Sequence, residues 1–206
     1  LGLEFDHPLG TAGGFDKDAT CLPGIDALGF SFIEVGTVTP RPQPGNPRKR
    51  LVRLYEDEAI INRMGFPGVG MERVARNLRA LKRFKRPICI SLGKNKSTDL
   101  TLAHEDYTKA LHGLYAYGDF FIVNISSPNT PELRQLQTPQ YLGDLLGRIQ
   151  AAIREEAGEQ QPKPLLVKIA PDLEDREIDT LIDVSLQNRV GGIVATNTTL
   201  SRDGLR

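Results

Sequence analysis

Phe120-Phe121-Ile122-Val123-Asn124-Ile125-Ser126-Ser127-Pro128-Asn129 sets an almost unbroken apolar run directly against a string of small polar residues. A strand wetted on one face alternates apolar with polar, whereas a short continuous apolar run bounded by turn formers marks a strand buried on both faces. Runs of the same kind stand at Leu9-Ala12, Ser31-Val35, Pro87-Leu92, Leu165-Ile169 and Gly192-Ala195, which makes six expected strands. Between them the apolar residues follow helical spacing. Leu22, Ile25 and Leu28 form one stripe, Met71, Val74, Leu78 and Leu81 a second, and Ala103, Tyr107, Ala110, Leu111 and Leu114 a third. Leu142, Leu145, Leu146, Ile149 and Ile153 make a fourth, with Thr138 as expected N-cap and Pro139 at the first helical position, and Ile178, Leu181 and Ile182 a fifth.

Six buried strands alternating with five helices leave two architectures, a doubly wound open sheet or a (β/α)8 TIM barrel. The barrel is favoured because the unusual polar residues cluster just after the strands. A dinucleotide fingerprint is also missing where an open sheet would carry one: the first strand runs into Ala12-Gly13-Gly14-Phe15-Asp16-Lys17. Gly65-Phe66-Pro67-Gly68-Val69-Gly70 follows no expected strand and contains proline, and Gly93-Lys94-Asn95-Lys96-Ser97-Thr98 lacks the leading glycine and the hydroxyl of a P-loop. The segment from Thr37 to Gly68 exceeds the usual ~2–6 residues of a βα loop. Its proline and glycine content and its place after a strand suggest a lid at the C-terminal mouth of the barrel.

Composition narrows the function. The 26 basic and 26 acidic residues cancel, so no global field favours nucleic acid or an anionic surface, and Arg48-Lys49-Arg50 reads as a solvated loop edge. Cys21 and Cys89 form no CxxC and the three histidines no cluster, so neither a disulfide framework nor a metal site is expected. No apolar stretch approaches the ~20 residues that cross a bilayer, and the first residues show no signal-peptide pattern. The expectation is one soluble domain, residues 1–206, in a reducing compartment.

In a barrel, strand ends converge. The residues delivered there are Lys17, Thr37, Lys94, Asn95, Asn124, Ser127, Asn129, Lys168, Asn197 and Thr198. Singly, each is most simply a turn former. Together, amides that both donate and accept, and lysines that supply point charge, suit a flat, amide-rich, partly anionic ligand. Lys168 is the most informative, because it ends Leu165-Leu166-Val167 and would be an expensive buried charge without a partner. An ion pair with a core carboxylate is the plainer alternative, set second because carboxylates are scarce at the other strand ends.

Seven strings stand in order along the whole chain: Ala12 to Lys17 (AGGFDK), Gly36 to Pro47 (GTVTPRPQPGNP), Ile61 to Phe66 (INRMGF), Gly93 to Lys96 (GKNK), Asn124 to Arg134 (NISSPNTPELR), Val167 to Leu173 (VKIAPDL) and Ala195 to Thr199 (ATNTT). In order and spacing they are similar to the class 2, quinone-dependent dihydroorotate dehydrogenases. The serine in NISSPNT and the GTVTPRPQPGN string point to class 2 rather than the cysteine-using class 1. The resemblance implies flavin mononucleotide (FMN) as cofactor, contacted by Gly13, Gly14, Phe15, Asp16, Lys17, Thr37, Ser91, Asn124, Lys168 and Thr196. For dihydroorotate it implies Lys17, Asn62, Arg63, Met64, Gly65, Phe66, Asn124, Asn129, Asn197 and Thr198. It assigns catalysis to Ser127 as base with Thr130 as proton relay. The family reaction takes a proton from C5 of dihydroorotate and a hydride from C6 to flavin N5, giving orotate, and a quinone then reoxidises the flavin.

The residues themselves support these assignments. Pro128 biases Ser127 toward an extended backbone, so its hydroxyl can be aimed; a neutral serine is a weak base and needs a dry pocket and a relay. Lys168 beside the flavin pyrimidine edge would meet charge that develops on reduction, and Lys17 would hold the substrate carboxylate. Two positions depart from the family pattern. Ser91 stands where the family's third strand usually has asparagine, and Glu132 where its string has glycine. A complete barrel needs ~250 residues and two more strands, so the chain is expected to be part of one, lacking strands 7 and 8, the flavin phosphate site there, and the family's N-terminal helical pair. Through that pair the resemblance implies a peripheral association with the cell inner membrane in a bacterium, or the mitochondrial inner membrane in a eukaryote. Two other readings stand beside this one: another flavin-barrel pyrimidine oxidoreductase, which would carry cysteine at position 127, and a non-catalytic barrel fragment.

Overall fold

The computed structural model describes residues 2–81, 84–130 and 132–206. Along the chain lie β1 (Thr11–Asp16), α1 (Leu22–Asp26), β2 (Ile33–Val38), β3 (Leu51–Leu54), β4 (Ala59–Asn62), α2 (Met71–Arg79), β5 (Ile88–Leu92), α3 (Ala103–Leu114), β6 (Phe120–Asn124), α4 (Pro139–Ala157), β7 (Leu165–Ile169), α5 (Asp175–Gln187) and β8 (Gly192–Ala195). Among the described residues, six strands form one parallel sheet in the order β1-β2-β5-β6-β7-β8. Sequential parallel neighbours, each joined through an outer helix, are the wall of a (β/α)8 barrel. An open doubly wound sheet would reverse its strand order part-way, and this one does not.

The continuous apolar runs conceal a true alternation. Phe121, Val123 and Ile125 join Ile33, Val35, Ile90, Val167 and the helix stripes in one core between sheet and helices. Phe120, Ile122 and Cys89 point the other way, into the barrel, with Phe32, Leu166 and Val194. Both faces are dry near the strand starts, so both sets are apolar. Each fully buried aliphatic or aromatic side chain contributes roughly 1.5–3 kcal/mol. Phe5, Phe32 and Phe120 pack edge to face, with ring centroids 5.1 to 6.1 Å apart, and floor the barrel. Above that floor the inward positions turn polar.

The helices neighbour one another in chain order, α3 on α4 and α4 on α5. Thr138 occupies the N-cap of α4, but its hydroxyl donates back to Gln135 O at 2.9 Å rather than capping the helix. Glu174 caps α5 through a reciprocal capping box with Glu177, a device the apolar spacing did not reveal. Leu28, assigned to the first helical stripe, lies beyond the end of α1 and is exposed. Strand bounds also shift: β1 begins two residues after Leu9 and β2 two after Ser31.

The long insertion is more than a loop. It folds into the antiparallel hairpin β3-β4, pairing Leu51 with Asn62 and Leu54 with Ala59, and its base is tied by Gln43 bridging to Gly68. The hairpin places Asn62 over the C-terminal ends of the barrel strands. Among the described residues no helix is long and apolar enough to cross a membrane.

Candidate active site

The strand ends and the hairpin enclose a cleft of about 300 Å³, lined by Gly13, Gly14, Lys17, Thr37, Leu51, Ile60, Asn62, Met64, Gly65, Phe66, Asn124, Ser127, Asn129, Lys168, Asn197 and Thr198. That volume is in the range of small-molecule sites, which combine apolar walls with a few converging polar groups. A larger groove of about 660 Å³ lies outside the barrel between the insertion and α2, with Arg73 and Arg76 on its rim. It is broad and open and gathers none of the strand-end residues, so the smaller cleft is the chemical one.

Asn124 is the hub of the cleft. Its Nδ2 donates to Thr37 Oγ1 at 2.7 Å, and its Oδ1 accepts from Ser126 Oγ at 3.1 Å and Ser126 N at 3.3 Å. Asn197 Nδ2 reaches Ser126 Oγ at 3.0 Å and Asn124 Oδ1 at 3.4 Å. Buried amides pay for desolvation unless such bonds are made, and here they link the ends of β2, β6 and β8. From behind, the buried Tyr107 hydroxyl of α3 donates to Asn124 O at 2.8 Å. Ser127 is 6% exposed and, among the described residues, its Oγ accepts only the Asn129 backbone N–H, at 3.3 Å. Asn129 Nδ2 in turn donates to Asn62 Oδ1 at 3.1 Å, so the serine loop is buttoned to the hairpin.

Charge in the cleft is cationic. Lys17 pairs with no carboxylate of the described residues. Burial holds its ammonium below the usual lysine range, with the Arg50 and Lys168 charges adding to the effect and Asp18 opposing it. Such a group gains most when an anion arrives. Lys168 Nζ lies 3.7 Å from Glu34 Oε1, both side chains being nearly buried. The core carboxylate set second on sequence grounds is therefore present, on the inward face of β2, and Lys168 both pairs with it and lines the cleft. The expectation failed because Glu34 lies mid-strand, where an apolar run masks which way each residue points.

The family model described as dihydroorotate dehydrogenase matches residues 1–206. The chain belongs to this family. It is 49% identical over 206 residues to the dihydroorotate dehydrogenase (quinone) of Christiangramia forsetii, covering all of this chain and 59% of that relative. With the enzyme of the same description from Thermus thermophilus it shares 50% over 211 residues, covering 100% and 58%. The chain thus spans about three fifths of the length of these curated relatives. The crystal structure of DHODH from Eimeria tenella in complex with ferulenol superposes with a TM-score of 0.91 at 36% identity, over 100% of this chain and 60% of that one. A ligand-free DHODH from the same organism gives 0.86 at 38%, over 100% and 62%.

Six residues that the family resemblance places at the ligands or, for Thr130, in the proton relay do not line the cleft of this family member. Phe15 is 65% exposed and does not line the cleft. Asp16 is buried, but its carboxylate is spent on the start of α1, accepting from Thr20 N at 2.9 Å and Cys21 N at 2.7 Å. Ser91 sits beneath Thr37, its hydroxyl 3.1 Å from Thr37 Oγ1, so it supports a cleft residue. Arg63 points outward to Lys49 O at 3.0 Å, and exposed Thr196 bonds Asn197 O at 2.9 Å. Thr130 is buried, and its Oγ1 has no hydrogen-bond partner among the described residues, Ser127 included. Lys94 and Asn95 also leave the convergent set. Lys94 Nζ donates to Thr98 O at 2.7 Å, and Asn95 ties Arg41 and Gln43 of the insertion to the barrel.

Four residues with structural influence on the cleft were not singled out. Leu51 and Ile60 supply its apolar wall from a hairpin that sequence reading took as loop. Asn46 donates to Asn129 O at 3.1 Å and accepts from Lys96 Nζ at 3.1 Å. Arg134 holds Ser126 O at 3.1 Å, Thr198 O at 3.0 Å and Asp172 at 2.7 Å. For Asn46 and Arg134 the sequence offered a signal, since both fall inside the family strings.

Proposed function

We propose that the protein oxidises dihydroorotate to orotate in pyrimidine biosynthesis, with FMN as hydride acceptor and a quinone as the final oxidant. The observation that carries this reading is the single cleft in which Ser127, Lys17, Lys168 and the amides of Asn62, Asn124, Asn129 and Asn197 meet. Descriptions of the relatives as quinone-type dihydroorotate dehydrogenases support it.

The residues present fit a flavin ring. Gly14 has φ +101°, open to L side chains only with strain, and leaves the cleft wall bare beside Lys17. Thr37 and Lys168 offer a hydroxyl and a cation on the same side, a donor set for the polar edge of an isoalloxazine. Gly13, Gly14, Lys17, Thr37, Asn124 and Lys168 would hold it. Bound there, the flavin would supply the two-electron acceptor.

The chain's own residues do the rest. Lys17 would hold the substrate carboxylate; its depressed basicity relaxes as the anion arrives. Asn62, Asn129 and Asn197 would match the alternating donors and acceptors of the dihydropyrimidine edge. Met64 and Phe66 with Leu51 and Ile60 line the cleft with apolar surface that would exclude water around a bound ligand and so strengthen its polar contacts. Ser127 Oγ would take the proton from C5, and the unpartnered Thr130 hydroxyl behind the same loop remains available to pass it on. A peripheral membrane location follows from the quinone, which is a membrane solute.

Ser127→Ala tests the assignment. The purified protein should be yellow and bleach when dihydroorotate is added without oxygen. In the variant the colour should remain and the bleaching slow by at least ~100-fold, the scale of a lost positioned base. Bleaching at near the normal rate refutes Ser127 as base, and a colourless wild-type protein refutes the flavin reading. Cysteine at position 127 would have favoured another flavin-barrel pyrimidine oxidoreductase; serine stands there.

A further inference from the structure

We propose that Glu34 is a positioning residue of this cleft: it anchors the Lys168 ammonium at the cleft floor and offsets part of its charge, so that the pair sets the electron affinity of the bound ring. The inference rests on the flavin reading above.

Glu34 is 5% exposed on the inward face of β2, and its Oε1 is buried without a hydrogen-bond partner among the described residues. A carboxylate so placed is expensive unless a cation stays with it. The ammonium of Lys168 does so at 3.7 Å, too long for a hydrogen bond of ~2.7–3.2 Å but close enough for strong attraction where water is excluded.

The neighbouring strand is shaped around this carboxylate. A Cβ built on Gly13 would lie 2.2 Å from Glu34 Oε1 and 2.8 Å from Glu34 Cδ. Any larger residue there would push the carboxylate from its present place, so the bare glycine of β1 leaves the slot that the carboxylate fills. A bystander on a solvated face needs no such slot.

Lys168 lines the cleft and Glu34 does not. The cation therefore stands between the carboxylate and the ligand. Lysine has a flexible four-carbon stem and is not self-positioning; the buried carboxylate limits where its ammonium can rest. The cleft then experiences the lysine charge reduced by the carboxylate behind it. Removing the carboxylate charge strengthens the positive field, which favours a ring that becomes negative on reduction.

The test is the midpoint potential of the flavin-loaded, full-length protein with Glu34→Gln, measured by equilibration with a redox dye. The expected result is at least a tenfold shift of the two-electron equilibrium toward the reduced flavin, about 30 mV more positive. In a Lys168→Gln background the same substitution should shift the potential by less than half as much, because the direct effect of the carboxylate charge remains while the part set by where the ammonium rests is lost. An ion pair that served only folding would lower the melting temperature and leave the potential unmoved. An unmoved potential, or an equal shift in both backgrounds, overturns the proposal. Should Glu34→Gln fail to fold, Glu34→Asp draws the carboxylate back by one methylene and should shift the potential in the same direction by at least threefold in the equilibrium. A folded, yellow Glu34→Asp protein at the wild-type potential overturns it too. A colourless wild-type protein would instead defeat the flavin reading, so the two failures are distinct.

Discussion

Tyr107→Phe isolates one contact between the helical layer and the cleft. The ring of Tyr107 is fully buried in the outer core, and phenylalanine keeps its apolar burial. What disappears is the hydroxyl that donates to Asn124 O at 2.8 Å. The carbonyl stays behind in a dry site. An exposed bond of this kind would cost little, but a buried acceptor deprived of its donor costs about 1–3 kcal/mol. In a chain of this size 1 kcal/mol moves the melting temperature by about 2–4 °C, so a fall of about 2–12 °C is expected. Urea unfolding should give a lower midpoint at unchanged m-value, since the surface exposed on unfolding is the same. Burial, and then the Asp106 charge, push the phenol far above its ordinary range. It remains a protonated donor at every pH where the fold survives, and the loss should be equal in mildly acidic and mildly alkaline buffer. Flavin content should persist, because the Asn124 side chain is held independently by Thr37. A loss below ~0.5 kcal/mol would refute the reasoning, showing that the carbonyl is served by another donor.

Lys17 has a folded pKa below the usual value of 10.5, first through burial. The folded state therefore releases this proton before the unfolded state does, and stability contributed by this group rises with pH between the two values. Orotate binding should move oppositely, weakening as pH rises through the lowered value; Lys17→Arg, charged throughout, should abolish that alkaline fall, and isothermal titration along the pH series decides it. Glu132 holds a left-handed backbone, φ 58° and ψ −3°, which costs a side chain about 1 kcal/mol. Glu132→Gly should raise the melting temperature by about 2–4 °C; an unchanged or lower value contradicts the strain. Asn46→Ala removes two hydrogen bonds that join the insertion to Asn129 and Lys96, together worth about 1–3 kcal/mol. It should lower kcat/KM for dihydroorotate at least fivefold with flavin content unchanged, and loss of the flavin instead would make Asn46 a cofactor support.

The six strands, the five helices and the barrel in preference to an open sheet were legible in the order of apolar runs and in the polar residues that follow them. So was the meeting of Ser127, Asn129, Lys17, Lys168, Asn197 and the glycine pair at one cleft, since motif strings mark strand ends directly. The hairpin Leu51–Leu54 and Ala59–Asn62 was not legible. Its apolar runs are four residues long, half exposed and surrounded by prolines, and its stability comes from docking on the barrel mouth rather than from its own pattern. Phe15, Asp16 and Ser91 show the matching limit. They sit inside or beside the right strings, yet the fold leaves one side chain exposed outside the cleft, spends another on a helix start and leaves the third one layer below the cleft.

Sequence alone determined the periodicities, the strand ends and the set of chemical groups available there, because those follow from which residues are adjacent along the chain. Only the tertiary structure decided which groups share a space. Inside a barrel buried on both faces, apolar residues point both inward and outward, so composition cannot report direction. Direction is what brought Glu34 under Lys168 against Gly13, and what made a lysine read as a ligand contact into one half of a buried pair.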